Sequence, residues 1–225
     1  MPVIRLVAAL CLGYAAGSLN FAIIVTRLVT RQDIRLLGNG NPGTANVARS
    51  VGKGWAALVF FGDLAKGFLV MLLVRSLIFP SESWISAFAA SAAGLAAITG
   101  HCRPLFFRFR GGRGAATAIG VYLFFIPAEM LLSMVAAFII ALLVFRKLEA
   151  PVARWTPMLF IFLAPLVTWM LAGRDSVVVF GAVSLGGHPW YVIVAVGAVS
   201  CFILLLNTAF FRDRLREYRR KMLDG

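Results

Sequence analysis

Long apolar stretches separated by short basic segments are the feature that most constrains this chain. A helix that crosses the hydrocarbon core of a bilayer needs about 20 predominantly apolar residues. Seven apolar stretches lie near residues 4–26, 55–79, 84–107, 114–126, 128–145, 157–172 and 189–209. Hydrophobic residues make up 61% of the sequence, against roughly 45–50% in soluble proteins. A soluble domain of this length cannot bury that much apolar surface, so we predict an all-α, polytopic membrane helix bundle.

The basic residues predict how these stretches cross the membrane. The chain has 22 Lys and Arg against 9 Asp and Glu, and a net charge of +13. With the N-terminus outside and every stretch crossing, nearly all basic residues fall inside, which is the positive-inside pattern. This requires 114–145 to cross twice, and Pro127 is well placed to begin a helix there. We predict seven transmembrane helices, a cytoplasmic C-terminus and a single domain over 1–225. The positive charge is then a property of membrane topology and does not indicate nucleic acid binding.

The sequence gives no sign of a metal or cofactor site. Cys11, Cys102 and Cys201 form no CxxC motif and have no histidine at metal-ligand spacing. Free cysteines of this kind are usually small buried apolar residues. Since a nucleotide motif is also absent from the sequence, we expect neither a metal nor another cofactor.

A glycine- and asparagine-rich segment, 38–49, follows the first apolar stretch on the predicted cytoplasmic side. Its glycines allow positive φ angles and a close approach of the backbone to a ligand. Successive backbone N–H groups can form an anion-binding concavity, and the guanidinium of Arg49 suits a phosphate. The same residues are also common in ordinary turns, and taken alone the segment favours a turn.

A second glycine-rich segment, 108–117, follows His101 and leads directly into an apolar stretch. A helix N-terminus with free N–H groups, flanked by arginines, is a ready phosphate site. A tight turn with arginines extending to the membrane surface would explain the glycines and the charge, but not the nearby histidine. Near phosphates, His101 is able to serve as a proton shuttle or phosphate donor.

Further charged residues lie within the second stretch and in the tail. Asp63 and Lys66 are at i and i+3, so they meet on one helix face. We expect a salt bridge because unpaired charges in a membrane are costly. The basic tail, 207–225, is typical of a segment that binds anionic lipid headgroups.

Together these motifs resemble the PlsY-type acyl-phosphate:glycerol-3-phosphate acyltransferases over nearly the whole chain. The segments that carry the resemblance are Gly17-Ser18-Leu19, Gly40-Asn41-Pro42-Gly43, Asn46-Val47, Arg49, Asp63, Lys66-Gly67, Gly100-His101, Pro104, Phe109, Gly111-Gly112-Arg113-Gly114, Ala116-Thr117, Arg214, Arg216 and Glu217. The resemblance implies transfer of a fatty acyl group from acyl phosphate to the 1-hydroxyl of glycerol 3-phosphate. It implies lysophosphatidic acid and phosphate as products, for phospholipid synthesis, and no use of acyl-CoA or acyl carrier protein. It also implies a multi-pass protein of the bacterial inner membrane whose active site faces the cytoplasm.

The resemblance and the loop chemistry together define the candidate site. We expect His101, Arg49 and Asn41 to be catalytic. We expect substrate phosphates to contact Asn39, Gly40, Gly43, Thr44, Asn46, Arg110, Gly111, Gly112, Arg113, Gly114 and Thr117. We expect support from Asp63, Lys66, Arg216 and Glu217. Because an acyl phosphate is already activated, its transfer needs mainly positioning and charge neutralisation. Arg49 and Arg113 would neutralise the phosphates, while His101 would orient the acceptor or assist its deprotonation.

Several residues depart from the family pattern and indicate a divergent branch. Asn39 stands in place of a serine, Glu149 lies in a loop that usually bears serine, Arg113 replaces a lysine, and Leu215 and Tyr218 replace a histidine and an asparagine. Two alternatives therefore remain open. One is an acyltransferase of the same family with a different acceptor. The other is a non-catalytic homologue that binds or transports a lipid or anion, although the sequence lacks the inverted repeat common in transporters.

Overall fold

The computed structural model describes residues 2–80, 83–145, 152–174, 177–179, 183–208 and 212. The α-helices in these ranges are α1 Pro2–Ser18, α2 Phe21–Thr30, α3 Thr44–Ser50, α4 Lys53–Leu73, α5 Trp84–Cys102, α6 Ala115–Phe125, α7 Pro127–Phe145, α8 Val152–Ala172 and α9 Trp190–Leu206. Two 3-10 turns lie in the loops, at Ile34–Leu36 and Leu105–Phe107, and a π-helical turn, Val74–Ile78, extends α4.

The apolar helices occupy the places predicted from the sequence. The segments long and apolar enough to cross a membrane are Pro2–Thr30, Lys53–Ile78, Trp84–Phe107 and Pro127–Val144. Shorter apolar helices lie at Ala115–Phe125, Leu159–Ala172 and Trp190–Leu206. Helix α7 begins at Pro127, as predicted. The membrane helix bundle is thus confirmed, whereas seven crossings and an outside N-terminus stay predictions.

The first apolar stretch, predicted as one helix, is broken into α1 and α2. Asn20 has an extended backbone, and its side chain caps α2 by accepting the Ile23 N–H at 3.1 Å. The carbonyl oxygens of Gly17 and Leu19, at this break, accept hydrogen bonds from the buried Lys66 ammonium at 3.0 and 2.8 Å. Irregular backbone at membrane depth is tolerated where protein covers it and satisfies its polar groups. The break therefore supplies ligands for a buried cation.

Small residues bring α1 against α5. A Cβ atom at Gly13 or Gly17 would collide with the backbone of Ala93 or Ala97, respectively, and one at Gly100 would collide with α1. Close backbone approach through small residues is the usual way in which membrane helices pack. It fixes the end of α5, where His101 lies, beside the break between α1 and α2.

A short hairpin between α8 and α9 was not predicted. Strands β1, Val177–Val179, and β2, Val183–Leu185, pair in antiparallel fashion. Just after β2, Gly186 N–H and His188 Nε2 lie 2.6 and 2.9 Å from Oε1 of the fully buried Glu129 of α7. The hairpin end is therefore held to the start of α7.

Candidate active site

The two glycine-rich segments meet at one end of the bundle. We call residues 33–43 loop 1 and residues 103–114 loop 2. In loop 1, Gly38 and Gly40 have φ angles of +56° and +71°, which favour glycine because it lacks a Cβ. The buried Asn46 side chain accepts the Asn39 N–H at 3.2 Å and donates to Leu37 O at 2.9 Å. Asn46 was predicted to contact a phosphate. In the structure, its side-chain oxygen and nitrogen are both hydrogen-bonded to the backbone of loop 1, and these bonds stabilise the loop.

Of the remaining predicted residues of loop 1 and α3, Asn39 and Arg49 are exposed, whereas Gly40, Asn41, Gly43 and Thr44 are partly buried. The exposed Asn39 closes a turn, because its side-chain oxygen accepts the Asn41 N–H at 3.2 Å. Gly43 precedes α3, which begins at Thr44. Arg49 is exposed in the last turn of α3, so its guanidinium is accessible at this end of the bundle.

Loop 2 folds back over the end of α5. Gly112 N–H donates to His101 O at 3.1 Å, and Gly111 N–H donates to Cys102 O at 3.2 Å. A Cβ at Gly112 would collide with His101 Nε2 and lie 2.6 Å from Pro42 O of loop 1. Only a glycine fits where the two loops and the His101 ring converge.

His101 belongs to a buried polar cluster with Asp63 and Lys66. Lys66 Nζ lies 2.7 Å from Asp63 Oδ1, which is the salt bridge expected from the i, i+3 spacing. His101 Nδ1 is 3.0 Å from Lys66 Nζ and 3.4 Å from Asp63 Oδ1. All three residues are buried, with 7% exposure at most. The ring is thus held through Nδ1, while Nε2 faces the junction of loops 1 and 2.

Sequence analysis missed a second charged cluster that ties loop 1 to loop 2. The Asp33 carboxylate accepts hydrogen bonds from Arg35 Nη2 at 2.7 Å and Arg27 Nη2 at 2.6 Å. Arg35 Nη1 crosses to loop 2 and donates to Phe107 O at 2.8 Å and Arg110 O at 3.3 Å. The only indication in the sequence was that Asp33 lies two positions before Arg35. The contact of Arg35 with loop 2 depends on the tertiary structure, so the sequence could not predict it.

Asp33 and Arg35 also change each other's proton affinity. The hydrogen bond from Arg35, reinforced by Arg27, holds the pKa of Asp33 well below its usual range. The hydrogen bond to Asp33 raises the pKa of Arg35 above its ordinary value. Both groups are therefore charged at neutral pH, and Arg35 bridges the loops as a cation.

The start of α6 completes this end of the bundle. Gly114 has a φ angle of +80° and directly precedes α6, in which Thr117 is fully buried. The carbonyl oxygen of the partly exposed Arg113 accepts a hydrogen bond from Asn207 Nδ2, at the end of α9, at 3.0 Å. Arg110 is exposed. The predicted residues Arg216, Glu217, Glu149, Leu215 and Tyr218 lie outside the described residues.

The part of the chain that the structure describes contains no group of three or more His, Cys, Asp or Glu residues placed to hold a metal ion. The expectation of no metal and no other cofactor stays a prediction.

Comparisons with known proteins identify the family. A family model described as glycerol-3-phosphate acyltransferase matches residues 7–214. This chain belongs to that family. A glycerol-3-phosphate acyltransferase of Neisseria meningitidis serogroup C (strain 053442) is 42% identical over 170 residues, covering 74% of this chain and 83% of the relative.

Solved structures agree with this assignment. A crystal structure of PlsY, an integral membrane glycerol 3-phosphate acyltransferase in its glycerol 3-phosphate form, superposes with a TM-score of 0.71. Its sequence is 27% identical, and the match covers 95% of this chain and 93% of the PlsY chain. The lysophosphatidic acid form of PlsY gives a TM-score of 0.72 at 26% identity, with the same coverage. The resemblance to the PlsY family is confirmed, and the chain is a bacterial integral membrane acyltransferase of lipid biosynthesis.

Proposed function

We propose that this chain transfers a fatty acyl group from acyl phosphate to the 1-hydroxyl of glycerol 3-phosphate. One observation carries this proposal: loops 1 and 2 converge on His101, which contacts the buried Asp63–Lys66 pair. The similar PlsY structures are of a glycerol 3-phosphate form and a lysophosphatidic acid form. These molecules are the acceptor and the product of the proposed reaction.

The reaction needs little from the protein beyond positioning and charge neutralisation. The acceptor hydroxyl oxygen attacks the acyl carbonyl carbon, and the bond from that carbon to the bridging phosphate oxygen breaks. Lysophosphatidic acid forms, and phosphate leaves with the proton of the acceptor hydroxyl. Two substrates with phosphate groups bring several negative charges to one place, so nearby cations and donors stabilise both binding and the transition state. Arg49 and Arg113 are the cations that we assign to this task, and Asn41 is the amide that we place against a reacting oxygen.

The hydrogen bonds of the loops support a more specific proposal for where the phosphates bind. Gly111 and Gly112 donate their N–H groups to carbonyls at the end of α5, so we propose that these two residues contribute by allowing close approach of the backbone. The first turn of any α-helix leaves N–H groups without partners inside the helix, and such groups bind phosphate well. We therefore place a phosphate at the start of α6, beside Arg113 and Gly114. The contacts of Asn39, Gly40, Gly43, Thr44, Arg110 and Thr117 stay part of the proposal.

The departure at Asn39 is compatible with the family reaction. Its side-chain oxygen closes a turn onto the Asn41 N–H at 3.2 Å. Serine hydroxyl groups close the same kind of turn. Asn39 can thus replace the usual serine as a loop residue and still hold Asn41 in place.

We also propose that the chain lies in the inner membrane with loops 1 and 2 facing the cytoplasm. The distribution of basic residues along the sequence supports this orientation through the positive-inside rule. Acyl phosphate and glycerol 3-phosphate would then both approach from the cytoplasm.

An acyl-transfer assay tests the proposal. The purified full chain in lipid is given palmitoyl phosphate and labelled glycerol 3-phosphate, and lysophosphatidic acid is measured. We expect product from the parent protein and a loss of roughly 100-fold or more in Arg49→Ala, as for other preorganised charged contacts. The matched control is Arg174→Ala, which removes an exposed arginine after α8, and it should be fully active.

Two results would contradict the proposal. Acyl transfer to another acceptor, with none to glycerol 3-phosphate, would favour the family member with a different acceptor. Binding of acyl phosphate without any transfer by the folded protein would favour the non-catalytic homologue.

A further inference from the structure

We infer that Lys66 fixes the neutral ring of His101 with its hydrogen on Nε2, so that His101 donates a hydrogen bond into the site. This inference deepens the proposed function and rests on it for the part that concerns the reaction. Lys66 is, in these terms, a positioning residue that acts through His101.

The hydrogen bond between Lys66 and His101 sets the position of the ring hydrogen. Lys66 Nζ lies 3.0 Å from His101 Nδ1. An ammonium group has three donors and no acceptor, whereas a neutral imidazole has one nitrogen that donates and one that accepts. A nitrogen at hydrogen-bond distance from an ammonium must be the acceptor. His101 therefore carries its hydrogen on the opposite nitrogen, Nε2.

The surroundings of Lys66 keep it a donor. Its ammonium lies 2.7 Å from Asp63 Oδ1, 2.8 Å from Leu19 O and 3.0 Å from Gly17 O. It also lies 5.9 Å from the centre of the Phe21 ring, which adds a cation–π contact. Every one of these neighbours favours a cation.

The rival arrangement places a hydrogen on Nδ1 and directs it to Asp63. His101 Nδ1 is 3.4 Å from Asp63 Oδ1, which is longer than the 2.7–3.2 Å of N–H···O hydrogen bonds in proteins. It would also set an N–H group against the Lys66 ammonium at 3.0 Å, with two donors facing each other. The shorter distance and the charges both favour acceptance by Nδ1.

The other side of the ring faces the place where we locate the reaction. A Cβ at Gly112 would collide with Nε2 and approach Pro42 O, so Nε2 lies at the junction of loops 1 and 2. A donor fixed there can bond to an oxygen of the acyl phosphate or of the departing phosphate. Hydrogen bonds to an ionised acceptor are shorter and stronger than those between neutral groups.

The Nε2 hydrogen stays on the ring during the reaction and stabilises the charge that develops on the departing phosphate.

The tautomer can be observed directly by nitrogen NMR. The full chain is labelled with ¹⁵N-histidine and measured in lipid at neutral pH; its two histidines are assigned by comparison with His101→Gln. We expect an unprotonated Nδ1 and a protonated Nε2 for His101. A protonated Nδ1, with or without a hydrogen on Nε2, would overturn the inference. The tautomer is thus observed in the unsubstituted protein, and the measurement does not depend on the acyl-transfer reaction.

Substitution of His101 tests its consequence for the reaction. The side-chain amide of His101→Gln can donate from near the position of Nε2, whereas His101→Ala cannot. We expect roughly 100-fold loss of kcat in His101→Ala, as for removal of one preorganised donor, and a loss about ten-fold smaller in His101→Gln. Equal inactivity of the two folded variants would contradict donation by Nε2.

The double variant Asp63→Asn with Lys66→Met removes the ion pair as a unit, which avoids leaving one buried charge unpaired. In it we expect the two neutral tautomers of His101 to become mixed, and an unchanged single tautomer would show that Lys66 does not fix the ring. Absence of acyl transfer by the parent protein, with the expected tautomer present, would contradict the proposed function alone.

Discussion

At the scale of single residues, the geometry of the site depends on close contacts between backbone and side-chain atoms. Gly112 lies between His101 Nε2 and Pro42 O, and Asp33 joins two arginines at the loops. Neither residue needs to touch a substrate for its loss to matter. Two predictions follow from these contacts.

We predict that Gly112→Ala lowers acyl transfer by roughly 100-fold or more. The added Cβ would collide with His101 Nε2, and the Pro42 carbonyl at 2.6 Å would also have to move. A displacement of about 1 Å in a reacting group costs on the order of 100-fold in rate. The steady-state rate is measured with both substrates saturating.

The matched control for this prediction is Gly54→Ala near the start of α4, where a Cβ would meet nothing within 4 Å. It should keep full activity and, if anything, raise the thermal stability, because alanine favours helices over glycine. Full activity in Gly112→Ala would contradict the proposed place of His101 in the site.

We predict that Asp33→Asn destabilises the protein by about 1–2 kcal/mol at neutral pH, since it weakens charge-assisted hydrogen bonds at a side chain that is 16% exposed. Because the pKa of Asp33 is lowered in the folded protein, its contribution is fully present above the ordinary Asp pKa of about 3.9. It is lost as the pH falls further, through the folded pKa.

Thermal unfolding of the parent and Asp33→Asn between pH 7 and pH 3 checks this. The difference between the two should stay constant down to about pH 4 and shrink below it. A difference that already disappears between pH 7 and pH 5 would contradict the assigned pKa shift.

At the scale of helices and strands, sequence periodicity and composition predicted most of the fold. The apolar stretches became apolar helices, and Pro127 begins α7 as expected. The break at Asn20 could not be predicted, because its cost is offset by Lys66, which is distant in the sequence. The i, i+3 spacing predicted the Asp63–Lys66 pair. It could not predict the contact of this pair with His101 on α5, because His101 is also distant in the sequence.

The contact of Glu129 with the hairpin end leads to a prediction at this scale. Glu129 Oε1 accepts the Gly186 N–H at 2.6 Å and lies 2.9 Å from His188 Nε2. We predict that Glu129→Ala lowers the free energy of unfolding by about 3 kcal/mol, because it leaves buried donors without their acceptor. Helix α9 has 17 residues and a length of roughly 25 Å, and it separates this contact from loop 2.

The catalytic constants of Glu129→Ala should therefore stay unchanged at temperatures where it is folded. Thermal unfolding and acyl-transfer kinetics on the same sample measure both. A fall in kcat without a fall in stability would mean that the two ends of the bundle are coupled.

At the scale of the whole molecule, contacts within the bundle show which segments lie at the same end. Loops 1 and 2 are joined by Arg35, and Asn207 joins loop 2 to the end of α9. The start of α9 follows His188, which contacts the start of α7. Loops 1 and 2 thus share one end of the bundle, and the hairpin and the start of α7 share the other. On the positive-inside rule, we propose that the loop end faces the cytoplasm.

Cysteine labelling from each side of the membrane tests this orientation. We predict that a cysteine at Gln32 is labelled by an impermeant maleimide only in inside-out vesicles, whereas a cysteine at Arg174 is labelled in intact cells. Both positions are exposed. Replacing Cys11, Cys102 and Cys201 with alanine leaves each introduced cysteine as the sole thiol. Labelling of both positions from the same side would contradict the topology. Labelling of each from the side opposite to its prediction would place the site outside, where the proposed cytoplasmic substrates could not reach it.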